Sequence, residues 1–162
     1  MTDSYRILIV DDDLDILANL SDILSELGYD IITAASGQEA LERLGDSDSD
    51  EVQRLDLCLL DFKMPGMDGI AVLEQIKEKY PKTEVIFLTG HAATQDGVEG
   101  IKTGAFDYLS KPIEFEHLFG KIKQAYEKIQ REEEKLKEAE YININKIRPY
   151  SINWHNFRSY SK

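Results

Sequence analysis

The sequence predicts an α/β fold in which helices cover a doubly wound parallel sheet of five strands. Two observations support this prediction. Short apolar runs of strand length alternate with segments whose apolar residues recur at helical spacing, which is the pattern of repeated βα units. The run at 55–60, LDLCLL, is almost wholly apolar, as expected of a central parallel strand that is buried on both faces. At 162 residues, the chain has about the length of one domain.

The first two units carry clear signals at their boundaries. The first strand is predicted at 6–10, and leucines at helical spacing follow it until Gly28, which can adopt the left-handed conformation of a helix C-cap. The second strand is predicted at 30–34. Ser36 and Glu39 have the spacing of a capping box and therefore predict the start of a second, short helix.

Three further units follow the acidic stretch at 45–51, which is predicted to be a solvated loop. Their predicted elements are a strand at 55–60, a helix ending near Pro81, a strand at 84–89, a weaker helix at about 95–103, a strand at 106–109 and a last helix that starts after Pro112.

The last helix is predicted to be longer than such a domain needs. Its apolar face comprises Phe115, Leu118, Ile122, Ala125 and Ile129. The helical pattern continues to residue 140, but few apolar residues stay in phase after 130. We therefore expect a domain at 1–130 and a charged helical extension at 131–140. A solvated extension is favoured over a helical dimer contact, because a coiled coil needs three or four sustained heptads.

The segment 141–162 has a different composition from the rest of the chain. It contains no acidic residue and four basic ones, so its net charge is +4, whereas residues 1–140 carry 15 basic and 31 acidic residues, a net charge of −16. Basic residues interleaved with aromatic ones could contact RNA, single-stranded DNA or the acidic domain. We expect a poorly ordered extension instead, because so short a segment has no core of its own.

Composition narrows the classes of partner and compartment. The net charge of the whole chain is −12, and such a surface repels a phosphate backbone, so direct DNA binding is not expected. The single cysteine, Cys58, lies in an apolar run and is predicted to be a packing residue in a reducing compartment. No apolar stretch is long enough to span a membrane, and no secretory signal is present, so we expect a cytoplasmic protein.

Polar residues follow several predicted strands at their carboxyl ends, where ligands bind in open parallel sheets. These residues are Asp11, Asp12 and Asp13 after the first strand, Asp61 at the third, Thr89 at the fourth and Lys111 after the fifth. Converging carboxylates repel one another unless a cation joins them, and oxygen ligands with an open shell suit Mg²⁺. Asp12 or Asp13 could instead cap the first helix. An ammonium group and a hydroxyl are donors that a phosphoryl group needs.

Four motifs, in this order and spacing, resemble those of a bacterial response-regulator receiver domain. They are IVDDD at 9–13, DFKMPGMDG at 61–69, FLTGHA at 87–92 and YLSKP at 108–112. The resemblance covers residues 5 to about 130 and implies the flavodoxin-like (βα)5 fold of receivers, here with an extended C-terminal helix.

The resemblance also implies a role for each site residue. Asp61 matches the phosphoacceptor, and Asp11, Asp12, Asp61 and the backbone carbonyl of Lys63 match the Mg²⁺ ligands. Thr89 and Lys111 match the residues that bind the phosphoryl group, and Tyr108 matches the aromatic residue that changes rotamer on activation. The side chains of Lys63 and His91 occupy positions beside the path of the hydrolytic water, where they would tune the lifetime of the phosphorylated form.

The function implied is that of a switch in a two-component system. Its phosphodonor would be a sensor histidine kinase or a phosphotransfer protein, and its output would be binding to another protein, with a homodimer formed on phosphorylation as one option. We expect no enzymatic activity beyond its own phosphorylation and dephosphorylation. The alternatives are a receiver fragment of a larger transcriptional regulator and a binding-only pseudo-receiver. The chain lacks room for the cap domain of a phosphohydrolase, and Ile16 replaces the glycine that an EF-hand loop requires.

Overall fold

The structure, a computed structural model, describes residues 4–45, 54–90 and 94–151. Its elements, in chain order, are β1 (Arg6–Val10), α1 (Leu14–Glu26), β2 (Asp30–Ala34), α2 (Gly37–Gly45), β3 (Leu57–Asp61), β4 (Lys63–Met64), β5 (Met67–Asp68), α3 (Gly69–Lys79), β6 (Glu84–Thr89), α4 (Thr94–Thr103), β7 (Asp107–Ser110) and α5 (Phe115–Ser151).

Five parallel strands form the main sheet in the order β2-β1-β3-β6-β7. The chain first moves outward from β1 to β2 and then crosses back to β3, so the direction of winding reverses between β1 and β3. This reversal places helices on both faces and creates a switch point at the carboxyl ends of those two strands, where doubly wound sheets bind their ligands. The predicted fold class is confirmed.

The three central strands, β1, β3 and β6, form the middle of the core. Every residue of β3 and β6 is buried, because helices cover both faces of the sheet at these positions. The apolar run predicted at 55–60 therefore packs as expected, but the strand itself covers Leu57–Asp61 and includes the acidic residue at its end. Burial raises the pKa of the Cys58 thiol, in agreement with a packing role for this residue.

Helix boundaries follow the capping signals of the sequence. Gly28, just after α1, has a φ of 94°, which suits glycine and closes the helix. At the start of α2, the backbone N–H of Glu39 donates to the Ser36 hydroxyl at 3.1 Å. The Glu39 carboxylate accepts from the backbone N–H of Ala35 at 3.0 Å, one residue earlier than in the standard capping box.

A two-stranded antiparallel hairpin, β4–β5, follows β3 and was not predicted. Lys63 pairs with Asp68 and Met64 with Met67, and Gly66 in the turn has a φ of 83°. Strands of two residues are too short to show an alternation of polar and apolar side chains, so no periodic signal could reveal them.

The last helix differs from its prediction in two respects. It ends at Ser151 rather than at residue 140, because no glycine interrupts 121–151 and the proline at 149 lies near its end. Phe115 is 42% exposed and does not belong to the buried face, which contains Leu118, Ile122 and Ala125. The first turn of the helix therefore presents its aromatic side chain to solvent.

The chain divides into two compact units, the first ending at Ala125 and the second beginning at Tyr126. The division predicted at residues 130 and 140 stays a prediction, and its segment 152–162 lies outside the described residues, as does most of the acidic loop at 45–51. Within the second unit, Leu136 and Ile144 are about half-exposed on the helix. Across the described ranges, no helix combines the length and apolar character needed to cross a membrane.

Candidate functional site

The candidate site lies at the carboxyl edge of the sheet, beside the switch point between β1 and β3. Side chains from three strand ends open into one cavity of ≈ 480 Å³. The residues that line it are Asp11, Asp12, Asp13, Asp61, Phe62, Lys63, Gly90 and Lys111. The topology therefore brings together residues that are up to 100 positions apart in the chain.

Three carboxylates form the acidic part of the site. One oxygen from each of Asp11, Asp12 and Asp61 lies within 4.8 Å of the other two. Asp11 is fully buried and Asp61 is 5% exposed, whereas Asp12 is exposed to solvent. Three negative charges this close together repel one another unless a cation is shared among them. The all-oxygen donor set, with one open side, fits a hydrated Mg²⁺.

Lys111 supplies the positive charge that balances the two buried acids. Its Nζ lies 2.8 Å from Oδ2 of Asp11 and 3.4 Å from Oδ1 of Asp61. The backbone N–H of Lys111 donates to the Thr89 carbonyl at 2.7 Å, and the peptide bond to Pro112 is cis. The lysine is thus positioned by its backbone and by the acids that it contacts.

Burial and the charges in the site perturb the carboxyl group of Asp61. Burial, followed by the nearby charge of Asp11, raises the pKa of Asp61 to about 6, although Lys111 acts in the opposite direction. Burial alone would lower the pKa of Lys111, but its hydrogen bond and charge interaction with Asp11 outweigh burial and raise it. Lys111 therefore stays protonated, and Asp61 is mostly ionised at neutral pH.

Thr89, at the end of β6, is 1% exposed. Within the described part of the chain, its hydroxyl has no hydrogen-bond partner. A buried hydroxyl without a partner is costly and is found where another group can supply the missing acceptor. The position of Thr89 next to the acidic site makes a phosphoryl oxygen a suitable acceptor.

The remaining residues that the sequence singled out are Tyr108, Lys63, Asp13 and His91. Tyr108 is half-buried on β7 and pairs with Phe87 of β6 across the ladder. The backbone N–H of Lys63 donates to Oδ1 of Asp61 at 3.4 Å, and Lys63 itself is exposed. Asp13 accepts from the backbone N–H groups at the start of α1 and so acts as its N-cap. His91 lies outside the described residues.

The sequence analysis included Gly69 in the motif at 61–69, but it did not assign the contact that this glycine makes. A Cβ at this position would lie 2.7 Å from the carbonyl oxygen of Phe62 and 2.9 Å from that of Asp61. The start of α3 therefore approaches the backbone at the end of β3 as closely as only glycine allows. The resemblance indicated that the glycines of this motif shape the surroundings of Asp61, but a motif cannot show which backbone atoms Gly69 approaches.

Comparisons with known proteins identify the family. The sequence profile of the response regulator receiver domain matches residues 7–123. The chain belongs to the response regulator receiver domain family. Within this family, it is 39% identical over 123 residues to the transcriptional regulatory protein ZraR of Escherichia coli K12. That alignment covers 76% of this chain and 26% of ZraR.

Solved receiver structures share the fold. A CheY-like receiver domain protein from Methanospirillum hungatei JF-1 has a TM-score of 0.71 and 34% identity, with 80% of this chain and 99% of that chain covered. NtrX from Brucella abortus has a TM-score of 0.73 and 30% identity, with 82% of this chain and 29% of that chain covered. The chain therefore matches whole receiver domains, but it spans only about a quarter of the length of ZraR.

Proposed function

We propose that this receiver is a phosphoryl-accepting switch of a two-component system, phosphorylated on Asp61 in the presence of Mg²⁺. The phosphodonor would be a sensor histidine kinase or a phosphotransfer protein of the cytoplasm. The observation that carries the proposal is the convergence of Asp61 with Asp11, Asp12 and Lys111 in one open cavity. This set contains a nucleophile, oxygen ligands for a cation and a fixed ammonium group, which phosphoryl transfer requires.

The Asp61 carboxylate is the attacking group in this proposal. Lys111 and the backbone N–H of Lys63 contact its Oδ1 and fix the orientation of the carboxylate. A carboxylate oxygen forms a bond to phosphorus as the bond from phosphorus to the histidine nitrogen of the donor breaks, and the released imidazole retains that electron pair. The product is an acyl phosphate on Asp61. A carboxylate is a weak nucleophile, so positioning and charge neutralisation carry most of the rate.

The residues that would hold Mg²⁺ are Asp11, Asp12, Asp61 and the backbone carbonyl of Lys63. When bound, the ion would neutralise negative charge on the transferred phosphoryl oxygens. Asp11 already has its carboxylate fixed, because the backbone N–H of Asp13 donates to Oδ1 at 2.9 Å and Lys111 pairs with Oδ2. The acid that lies deepest in the site is therefore oriented before any ligand arrives.

Thr89 and Lys111 would bind oxygens of the new phosphoryl group. The Thr89 hydroxyl gains the acceptor that it lacks among the described residues, and Lys111 pairs with a second phosphoryl oxygen. Movement of Thr89 toward the site vacates volume into which Tyr108 can turn, and this changes the surface formed by α4, β7 and α5. Hydrolysis of the acyl phosphate resets the switch, at a rate tuned by the side chains of Lys63 and His91.

The output of the switch is proposed to be binding to another protein, including a homodimer formed on phosphorylation. No catalysis is proposed beyond the phosphorylation and dephosphorylation of the chain itself. ZraR and NtrC are transcriptional regulators by name, and both are much longer than this chain. A receiver portion of a larger transcriptional regulator is therefore the second candidate. In that case, a separate module would bind DNA, since the receiver has a large excess of acidic residues.

Labelling with a small phosphodonor tests the proposal. The chain is incubated with acetyl phosphate and Mg²⁺, and the phosphorylated fraction is measured by intact mass. We expect a stoichiometric adduct that hydroxylamine removes and that Asp61→Asn abolishes. Asp22→Asn, which changes an exposed acid on α1, is the matched control and should label normally. An adduct that persists in Asp61→Asn, or that resists hydroxylamine, would show that Asp61 is not the acceptor. Absence of any adduct would favour a binding-only pseudo-receiver.

A further inference from the structure

Phe62, the residue that follows the acceptor, packs against a second aromatic residue in the core. The ring centroids of Phe62 and Phe87 are 5.0 Å apart, with an interplanar angle of 74°, which is an edge-to-face contact. Phe87 is fully buried in β6, and Phe62 is 7% exposed at the margin of the core. The backbone N–H of Phe62 also donates to the carbonyl of Leu88. Phe62 is therefore tied to β6 by both its side chain and its backbone.

Helix α4 closely approaches the Phe87 ring at Gly100. A Cβ at Gly100 of α4 would lie 2.6 Å from Cδ2 and 2.8 Å from Cε2 of Phe87, closer than side-chain carbons pack. Gly100 is buried, and its lack of a side chain allows this approach. Phe87 thus packs against Phe62 and also closely approaches the backbone of α4. A displacement of the Phe87 ring changes where α4 can lie, because packed interiors do not compress.

The pairing of β3 with β6 places the rings of Phe62 and Phe87 near Thr89, whose hydroxyl is proposed to bind the phosphoryl group. Leu60 pairs with Phe87, and the last paired rung joins Asp61 to Leu88. One residue further on, Phe62 and Thr89 are neighbours across the two strands. Side chains alternate between the two faces of a sheet, so Phe62 and Thr89 lie on the same face as Phe87. A movement of Thr89 toward a phosphoryl group would therefore take place on the face of the sheet where Phe62 and Phe87 pack.

A second cavity, of ≈ 340 Å³, provides room for such a rearrangement. It lies between the β4–β5 hairpin and α4, next to the Phe62 ring. The residues that line it are Phe62, Lys63, Met64, Gly66, Met67, Asp68, Ile70 and Glu99. Glu99 belongs to α4 and precedes Gly100, so the cavity borders the part of the helix that rests on Phe87.

From these contacts, we infer that Phe62 and Phe87 couple phosphorylation of Asp61 to the position of α4, with Gly100 as the point of contact on the helix. This inference rests on the proposed function, since it requires phosphorylation of Asp61. Phe62 and Phe87 act as positioning residues, because neither provides a group that binds the phosphoryl oxygens. The proposed coupling uses the contacts of Phe87 with Phe62 and with α4 at Gly100, and it does not require the rotation of Tyr108.

Hydrogen exchange of the α4 amides in the full chain tests the inference. Exchange is measured by mass spectrometry with Mg²⁺, before and after treatment with acetyl phosphate, and the phosphorylated fraction is measured in parallel. In the unaltered chain, phosphorylation should change exchange in α4. Gly100→Ala should reduce that change by about threefold or more, because the added Cβ displaces the helix before phosphorylation. Gly120→Ala is the matched control, since its Cβ would meet nothing within 4 Å.

Phe87→Leu provides an independent test in case Gly100→Ala does not fold. It keeps an apolar side chain but removes the ring that contacts Phe62 and closely approaches Gly100, so the phosphorylation-dependent change in α4 should again fall. Adduct formation on Asp61 should stay within about twofold, because Phe87 is not among the described residues that line the site cavity. An α4 response equal to that of the unaltered chain in the folded variants would overturn the coupling and leave the proposed phosphorylation intact. If the unaltered chain forms no adduct, the proposed function fails, and the coupling fails with it.

Discussion

Replacement of Asp61 by Asn should make the protein more stable at pH 7 when no divalent cation is present. The side chain of Asp61 is 7% exposed, and a carboxylate oxygen of it lies within 4.8 Å of oxygens from Asp11 and Asp12. Asn has nearly the same shape and no charge. The substitution therefore removes a repulsion from the folded state while keeping the packing of the strand end.

The expected gain follows from the perturbed pKa of Asp61. Burial, and then the charge of Asp11, raise this pKa from 3.8 to about 6. A shift of about two units corresponds to roughly 3 kcal/mol of unfavourable interaction with the charged form. This pKa already includes the attraction to Lys111, and water in the open cavity screens part of the remaining interaction, so we expect a gain of about 1–2 kcal/mol in the free energy of unfolding.

The gain should depend on pH in a definite direction. Since the pKa of Asp61 is higher in the folded state than in the unfolded chain, the unaltered protein loses stability as pH rises from about 4 to about 6. The variant lacks this loss. The difference between the two proteins should therefore be close to zero near pH 4 and reach its full size above about pH 6.

Urea denaturation in a chelating buffer, at several pH values between 4 and 8, measures this difference. Addition of Mg²⁺ should then stabilise the unaltered protein more than the variant, because the variant offers one charged ligand fewer. Two results would refute the reasoning. One is a variant that is less stable than the unaltered protein at pH 7 without Mg²⁺, and the other is a stability gain that is unchanged at pH 4.

Three further substitutions give distinct signatures in the same denaturation assay. Lys111→Met leaves Asp11 buried without its ion pair, so it should cost about 2–3 kcal/mol at pH 7 in chelator; full stability would contradict the charge balance described above. Asp13→Ala removes the N-cap of α1 and should cost about 1 kcal/mol, and no loss would mean that the cap contributes little. Gly69→Ala forces a Cβ to within 2.7 Å of a backbone oxygen and should lower the free energy of unfolding by about 2–4 kcal/mol. The control, Gly120→Ala, places its Cβ in open space and should be neutral or slightly stabilising. Equal effects of the two substitutions would show that the close approach at Gly69 does not restrict the side chain.

Much of the fold could be predicted because each βα unit carries its own local signals. The strand at Arg6–Val10 and the strand at Glu84–Thr89 have the predicted boundaries, since both are continuous apolar runs with polar ends. Helical spacing alone could not distinguish a buried side chain from an exposed one at the start of α5, and Phe115 was assigned to the wrong face. The end of that helix was also missed, because a change in composition at 141 is not a helix-breaking signal.

The residues of the candidate site could be named from the sequence, but their interactions could not. The spacing of the motifs singled out Asp61, Thr89 and Lys111. It did not show that Lys111 lies closer to Asp11 than to Asp61, or that the Thr89 hydroxyl lacks a partner in the described structure. These features depend on distances between strand ends, and such distances arise only when the sheet has formed.

By itself, the sequence determined the alternation of strands and helices, the excess of acid and the identity of the polar residues at the strand ends, because these are local properties of composition and periodicity. Only the tertiary structure decided which charges lie beside one another, how closely α4 approaches Phe87 through Gly100, and where α3 meets the end of β3 at Gly69. The physical reason is that these contacts join residues distant in the chain, and their distances are set by the packing of the whole sheet and its helices.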